Sequence, residues 1–322
     1  MRRSEQLLCI QYLRAIATLT VVAAHSTTRL FEFGEAAVSL FFVISGFVMV
    51  YVSQRGTRPL AFLRARFIRV VPLYWIVTLF VAIAYGASED HLVQSLLFWP
   101  HPGPGGRGWP VIGQGWTLVF EVFFYLIFAA TLLGSAKARP WIIASIFAVL
   151  CGAGYLLQPT DFVLATYTSP LLLEFAAGAL LYEAWRRPLM PTSLPAACML
   201  GIGVLILALQ AGFGSPEHRW LAWGVTSVFV LAGALGMERA GWMPRFAPLK
   251  LLGDASYSIY LVQFFVVNPI HRRLGDWPEL VSVPLTLIGS AALGLAVYAL
   301  LERPLQRLRW TWAKLPKPGL SG

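Results

Sequence analysis

The chain has 322 residues, of which 57% are hydrophobic and only 12% are charged. Soluble globular proteins carry about twice that share of charged residues, so the composition excludes an ordinary soluble enzyme and indicates a protein that crosses a membrane several times. The formal net charge is +10. In a membrane protein this excess is explained by basic residues in cytoplasmic loops, so no nucleic-acid partner is expected.

Ten apolar stretches approach the roughly 20 residues that a helix needs to cross a bilayer. They predict an all-α, polytopic membrane bundle of about ten transmembrane helices, over residues 7–28, 36–53, 70–87, 114–134, 141–157, 168–185, 195–213, 220–237, 251–268 and 280–301. If these spans alternate, nineteen of the 25 basic residues fall on one side and five on the other, namely Arg29, Arg107, Arg219, Arg272 and Arg273. The positive-inside rule then predicts that both termini are cytoplasmic.

The first span contains two ionisable residues, Arg14 and His25. Eleven positions separate them, which is about 16 Å along a helix and brings both side chains to nearly the same face. Such residues are costly in a membrane unless they face protein or water, so they indicate a functional site. His25 can take and return a proton near neutral pH, which makes it a candidate general base; the alternative is a hydrogen-bonded packing histidine.

The second span contains a packing pattern, and the third span opens with a basic cluster. Ser45-Gly46 in the second span permits close helix packing, and Ser45 is interpreted as a packing residue, not as a nucleophile. Arg64, Arg66 and Arg69 open the third span on its predicted cytoplasmic side. Paired arginines bind phosphate groups well, so the cluster predicts a phosphate site; the alternative is ordinary positive-inside charge.

The longest predicted outer loop runs from Ala87 to Gly113 and contains the segment PHPGPGGRGWP. Its glycines and prolines argue against a helix. The loop is either a flexible connector or a lid that carries His101 and Trp109 over an outer cavity, since long loops are often functional.

The fourth span carries a carboxylate, Glu121, one turn before Tyr125 and five residues after Trp116. Glu121 and Tyr125 share a helix face. The carboxylate needs a partner, so it is expected to orient His25 or to pair with Arg14; the alternative is a structural ion pair between helices.

Later spans contain fewer chemical signals. Asp254 and Ser256 are predicted helix N-caps at the start of the ninth span, and Tyr257 and Tyr260 lie one turn apart behind them. Glu174 in the sixth span is interpreted as structural. The three cysteines, Cys9, Cys151 and Cys198, lie in apolar stretches and are predicted to be core residues without disulfide or metal spacing, and no metal site is expected.

Six motifs together resemble the membrane acyltransferase-3 family, and most closely its exopolysaccharide O-acetyltransferase branch. They extend from the first span to the ninth: YLRAIATLTVVAAHS (12–26), SLFFVISGFVMV (39–50), FLRARFIRVVPLYW (62–75), GWTLVFEVFFYLIF (115–128), LEFAAGALLYE (173–183) and LLGDASYSIYLVQF (251–264). The resemblance implies a single membrane acyltransferase domain over residues 1–313. Residues 314–322, with two prolines and two glycines, are predicted to be a disordered cytoplasmic tail.

The resemblance also implies an activity. Such proteins transfer an acyl group, usually acetyl from acetyl-CoA, to a hydroxyl of an envelope or secreted glycan. It implies that His25 is the catalytic histidine, that Arg14 is its paired basic residue, that Arg66 and Arg69 contact acyl-CoA, and that Glu121 occupies the acidic position. Trp116, Tyr125, Tyr257 and Ser45 are expected to line the substrate cavity.

The expected partners are acyl-CoA as a donor substrate, a glycan or lipid-linked sugar as acceptor, and lipids of a bacterial inner membrane. Two departures from the family pattern concern specificity: Ser39 stands where many relatives have an acidic residue, and Gln263 where many have a histidine. Two alternative functions remain open. Intramembrane Arg, His and Glu also build proton-coupled transporters, and a non-catalytic component of a polysaccharide export complex would tolerate changes at His25.

Overall fold

A computed structural model describes residues 7–27, 30–54, 57–104, 106, 110–187, 189–213, 219–274 and 277–312. Every regular element in these ranges is helical, which confirms the predicted all-α class. In chain order the elements are α1 Leu8–Ser26, α2 Phe31–Val52, α3 Pro59–Tyr85, α4 Glu89–Leu96, α5 Gly115–Thr131, α6 Arg139–Leu157, α7 Phe162–Tyr167, α8 Leu172–Arg186, α9 Ser193–Phe213, α10 Arg219–Arg239, α11 Ala247–Asp254, α12 Ser256–Val262, α13 Phe264–Leu274, α14 Glu279–Val297, the π-helix Tyr298–Glu302 and α15 Arg303–Trp312.

Seven helical segments of the described chain are long and apolar enough to cross a membrane, so the chain is a multi-pass membrane protein. They are Leu8–Ser26, Phe31–Val52, Pro59–Tyr85, Arg139–Leu157, Phe162–Arg186, Leu221–Arg239 and Glu279–Arg307. α5 and the segment Ser193–Leu209 are apolar but shorter. The predicted ninth span, 251–268, is divided among α11, α12 and α13. The count of ten spans therefore stays a prediction.

The predictions for the outer loop and for one cysteine are wrong. The loop 87–113 contains α4, whose first turn carries Glu89 and Asp90, and acidic residues there stabilise a helix through its dipole. Cys198 is exposed, whereas Cys9 and Cys151 are buried. A lipid-facing helix surface is as apolar as a protein core, so an apolar neighbourhood in the sequence does not distinguish the two. Trp109 and the predicted tail 314–322 lie outside the described residues.

α2 and α8 pack with their backbones in direct contact. A Cβ atom added to Gly46 would lie 2.0 Å from the carbonyl oxygen of Phe175, and one added to Gly178 would lie 2.0 Å from that of Val43. This confirms the close packing predicted at Ser45-Gly46. Beside the contact, the ring of Phe175 stacks on Phe42 with centroids 4.5 Å apart. The contact fixes the position of α2, and residues of this helix line the two cavities that contain Arg14 and His25.

α1 is held by the helices around it. The carboxylate of Glu238, at the end of α10, accepts hydrogen bonds from the backbone N–H groups of Leu8 and Cys9, at 2.8 and 2.9 Å. These donors belong to the first turn of α1, which has no intrahelical acceptors for them. The Tyr12 hydroxyl donates to the Pro244 carbonyl at 2.7 Å. The helix that carries Arg14 and His25 is therefore fixed at its N-terminal end.

Candidate active site

Two cavities lie end to end along α1. The inner cavity, of about 100 Å³, is lined by residues of α1, α2, α3, α5 and α12, among them Arg14, Arg66, Arg69 and Glu121. The outer cavity, of about 920 Å³, contains His25. Of the expected cavity residues, Ser45, Tyr125 and Tyr257 line the inner cavity, and Trp116 lines the outer one.

Arg14 lies in the inner cavity and donates a hydrogen bond from Nη2 to the Ser256 hydroxyl at 2.8 Å. Its charge interacts with those of Arg69, Glu302 and Glu121. Ser256 begins α12 without forming a side-chain cap, so the predicted N-cap role is wrong. Its hydroxyl positions Arg14 instead.

The other predicted cap, Asp254, is the last residue of α11 and does not begin a helix. Its carboxylate lies 2.6 Å from Nζ of Lys250, one turn earlier on the same helix. This pair is a local contact at the end of α11, and neither residue lines the inner or the outer cavity.

Glu121 accepts hydrogen bonds from the hydroxyls of Tyr125 and Ser45, the latter at 3.1 Å. The prediction that Glu121 and Tyr125 share a helix face is confirmed by the first of these bonds. Glu121 shares the inner cavity with Arg14 and not the outer cavity with His25. Of the two roles expected for this carboxylate, only an electrostatic pairing with Arg14 agrees with the geometry.

The arginines of α3 divide into two groups. Arg66 and Arg69 line the inner cavity, whereas Arg64 is exposed on another side of the helix. Three arginines and one glutamate therefore line the inner cavity, and its net charge is positive. A positive, partly desolvated cavity favours an anionic ligand.

His25 is positioned by a bond to its own helix. Its Nδ1 lies 2.7 Å from the carbonyl oxygen of Val21. A carbonyl only accepts hydrogen bonds, so the proton of the neutral ring is on Nδ1 and the lone pair is on Nε2. The side chain is exposed in the outer cavity. This is the arrangement that a general base requires.

Sequence reasoning missed several polar residues of this site. Glu35 in the first turns of α2 and Gln114 just before α5 line the outer cavity together with His25. Both lie near helix ends, where polar residues are common, so their positions in the sequence gave no signal. Glu302 was missed because it lies at the end of the predicted tenth span, where a charge is unremarkable.

α12 connects four other parts of the bundle. Besides the bond of Ser256 to Arg14, the Tyr257 hydroxyl donates to the Val70 carbonyl of α3 at 2.7 Å. The Ser258 hydroxyl donates to Glu302, which is presented by the π-helix; such irregular turns are frequent at functional sites. The fourth connection is to α5, where the Tyr260 hydroxyl lies 2.9 Å from Oγ1 of Thr117. These bonds hold the inner wall of the site in place.

The outer loop holds a pair of histidines. His101 Nε2 lies 2.9 Å from His91 Nδ1, and His101 Nδ1 lies 2.7 Å from the Trp99 carbonyl oxygen. Because that carbonyl accepts from Nδ1 of His101, Nε2 of a neutral His101 accepts from His91. Burial and the neighbouring His101 lower the pKa of His91. His101 and Trp116 line a third cavity, of about 360 Å³, and Trp116 also lines the outer cavity that contains His25.

Within the described residues, no group of three or more His, Cys, Asp or Glu side chains has the arrangement of a metal site. Apart from tyrosine hydroxyls, the ionisable groups that line the two cavities are an imidazole, three guanidinium groups and two carboxylates, of Glu35 and Glu121.

The described chain is a multi-pass helical bundle with an imidazole of α1 in one cavity and three arginines, of α1 and α3, in the other. A family model described as an acyltransferase domain matches residues 7–303, so the chain belongs to the acyltransferase-3 family. The resemblance found in the sequence is thereby confirmed.

Three relatives specify the comparison further. Exopolysaccharide production protein ExoZ of Rhizobium meliloti (strain 1021) is 37% identical over 317 residues, which cover 93% of this chain and 98% of the relative. Acyltransferase MdmB of Streptomyces mycarofaciens is 27% identical, over 82% of this chain and 79% of its own. Nodulation protein 10 of Rhizobium leguminosarum bv. viciae is 24% identical, over 86% and 83%. No solved structure matches the chain.

Proposed function

We propose that the protein is an integral membrane O-acyltransferase that transfers an acyl group, expected to be acetyl, from cytoplasmic acyl-CoA to a hydroxyl of an envelope or secreted glycan. Family membership supports the transferase class, and the name of the 37% identical relative supports an exopolysaccharide acceptor. The observation that carries the proposal is the bond from His25 Nδ1 to the Val21 carbonyl. It leaves a basic Nε2 in a cavity large enough for a sugar.

The reaction follows from that lone pair. The acceptor hydroxyl gives its proton to Nε2 of His25 while its oxygen attacks the thioester carbonyl carbon. The tetrahedral intermediate collapses by breaking the C–S bond, and the electron pair leaves on the sulfur of coenzyme A. The imidazolium returns its proton to that sulfur, so the products are an acyl ester and a free thiol.

A covalent route uses the same atom. Nε2 attacks the thioester carbonyl carbon, the C–S bond breaks with its electron pair on the sulfur of coenzyme A, and His25 carries the acyl group. The acceptor oxygen then attacks the acyl carbon, the bond to Nε2 breaks, and the hydroxyl proton goes to the thiolate sulfur. Acylated protein that accumulates in the absence of acceptor would identify this route. Both routes need the thioester in the outer cavity, so in either case the acylated end of the donor has to reach His25.

The donor is proposed to enter from the side of Arg66 and Arg69. Its phosphates are anionic, and the inner cavity has a net positive charge from three arginines and one glutamate. The inner cavity is much the smaller of the two, at about 100 Å³ against about 920 Å³ for the outer one. The nucleotide is therefore proposed to stay at the cytoplasmic mouth, near the exposed Arg64, while the acylated arm enters.

The proposed setting is a bacterial inner membrane, crossed about ten times, with both termini in the cytoplasm. The asymmetric distribution of basic residues supports this orientation. It puts Arg66 and Arg69 on the side where acyl-CoA is found and His25 toward the side where an exported glycan is found.

The test is acyl transfer by the purified, detergent-solubilised protein. Acetyl-CoA is supplied with de-O-acetylated polysaccharide from the same cells, and release of the coenzyme A thiol is measured with incorporation of the acetyl group. The proposal predicts both, in equal amounts. Absence of both thiol release and acyl incorporation with acetyl-, propionyl- and succinyl-CoA would overturn it.

A further inference from the structure

The inner and outer cavities share two wall residues, Val38 of α2 and Tyr260 of α12. Arg14, Arg66 and Arg69 lie on one side of this pair, and His25 lies on the other. An acyl group that moves between the two sets of residues has to pass Val38 and Tyr260.

The Tyr260 ring is held by its hydroxyl. The phenolic oxygen lies 2.9 Å from Oγ1 of Thr117 and 3.2 Å from the carbonyl oxygen of Gln114, and Thr117 also lies 3.0 Å from that carbonyl. Whichever hydroxyl donates to the other, a proton remains for the carbonyl, so the three groups form a closed set of hydrogen bonds. Because Gln114 lines the outer cavity and Thr117 the inner one, these bonds hold the ring at the boundary.

The ring and the backbone of Tyr260 have further contacts. The ring of Phe41, a wall residue of the inner cavity, has its centroid 6.3 Å from that of Tyr260. The helix beneath, α12, is tied through Tyr257 to α3 and through Ser258 to Glu302. Tyr260 therefore has little freedom to move unless its hydroxyl releases Thr117 and Gln114.

We propose that Tyr260 and Val38 form a constriction between the two cavities, and that its width selects acyl groups by their cross-section. The inference rests on the proposed function. The acyl group is the leading end of the donor, so it passes first and the narrow arm follows. A straight chain has the same cross-section at any length, whereas a branch at the second carbon widens it. Tyr260 is thus a specificity-determining residue that keeps branched acyl groups from His25.

The first test measures the barrier and needs no acyl transfer. In sealed membranes of a variant without native cysteines, Gly113→Cys reports on the outer cavity, because a Cβ at Gly113 meets no other atom within 4 Å. Ser45→Cys reports on the inner cavity. The probe is 2-sulfonatoethyl methanethiosulfonate, an anion that suits the positive inner cavity, added on the side from which Gly113→Cys reacts.

We expect Ser45→Cys to be protected while Tyr260 is present and to react about tenfold faster or more with Tyr260→Ala or Val38→Ala. Two separate variants are used so that, if one of them does not fold, the other still tests the constriction. Tyr12→Phe, which removes a hydroxyl bond away from both cavities, should leave Ser45→Cys protected. Fast reaction of Ser45→Cys with Tyr260 intact, or no acceleration in either variant, would overturn the constriction.

The second test measures selection with butyryl-CoA and isobutyryl-CoA, which have the same composition and differ in branching. Branching moves one methyl group onto the second carbon, and one such group changes discrimination by a binding site about 10- to 200-fold. We therefore expect the wild type to prefer butyryl-CoA by about tenfold or more. Tyr260→Ala should lose most of that preference. An unchanged ratio would overturn the specificity role. Absence of transfer from every acyl-CoA in the wild type would instead overturn the proposed function, and the labelling result would still decide the constriction.

Discussion

Arg14 and His25 lie on the same helix, eleven residues apart, and face two different cavities. Arg14 is bonded to Ser256 at 2.8 Å in the inner cavity, and His25 is bonded to the Val21 carbonyl at 2.7 Å in the outer one. Their separation is about 16 Å along the helix. The two side chains therefore serve different cavities and do not form a contact pair.

This separation predicts that substitutions can disrupt the proposed donor site and leave the surroundings of His25 unchanged. Coenzyme A should raise the melting temperature of the detergent-solubilised protein, because a ligand that binds only the folded state stabilises it by about 2.7 kcal/mol at a hundred times its Kd. The double variant Arg66→Ala, Arg69→Ala should lose most of the shift. Arg58→Ala, an exposed residue just before α3, serves as the control and should keep it. An equal shift in the double variant would exclude the proposed donor site.

The α2–α8 contact predicts a sensitive glycine. Gly46→Ala puts a methyl group 2.0 Å from the Phe175 carbonyl oxygen, so the helices must separate, at a cost of about 1–3 kcal/mol. Gly152→Ala, in α6, meets no atom within 4 Å and should be neutral or slightly stabilising. Melting temperatures of the two variants in the same detergent test this. Equal stability would show that α2 and α8 are less closely packed than described.

The histidine pair of the outer loop predicts a pH dependence. Burial and His101 lower the pKa of His91 below its ordinary value of 6.5, so protonation favours the unfolded state. The resulting stability is present above about pH 6.5 and is lost as the pH falls from there through the lower pKa of the folded protein. His91→Asn keeps a donor toward His101 but does not titrate, so its melting temperature should fall less between pH 7.5 and 5.5. The exposed His271→Asn should behave as the wild type does.

The orientation predicts which loops can be labelled from outside the cell. In a variant without native cysteines, Asp90→Cys in α4 should react with an impermeant thiol reagent in intact spheroplasts. Lys137→Cys, before α6, should react only after permeabilisation. Both positions are exposed, so accessibility within the fold does not confound the comparison. Labelling of Lys137→Cys in intact cells would reverse the proposed topology.

The sequence predicted the residues of this site that are improbable in a membrane and missed those that are ordinary there. Arg14, His25 and Glu121 stand out because a charge in an apolar stretch needs a reason, and each lines a cavity. Tyr260 carried no functional prediction, because an aromatic residue near a helix start is common. Its position between two cavities depends on where α12 begins, which no local pattern specifies.

The sequence also could not predict which arginines of the cluster line the inner cavity. Arg64, Arg66 and Arg69 are equivalent as charges near a membrane surface, and only the orientation of α3 determines which of them line the inner cavity. The same holds for Glu302, whose partner Ser258 lies 44 residues earlier in the chain.

The central claim is that His25 acts as a base or nucleophile, and the variant His25→Gln tests it most directly. Glutamine keeps a polar side chain of similar size but cannot take and return a proton, so a packing role tolerates it and a catalytic role does not. The measurement is the O-acetyl content of the polysaccharide, by NMR, in a deletion strain that carries wild type or variant at equal protein level. We predict a loss of about 10²-fold or more, with the coenzyme A-induced thermal shift retained. Wild-type acetylation by His25→Gln would contradict the mechanism and favour a transport role.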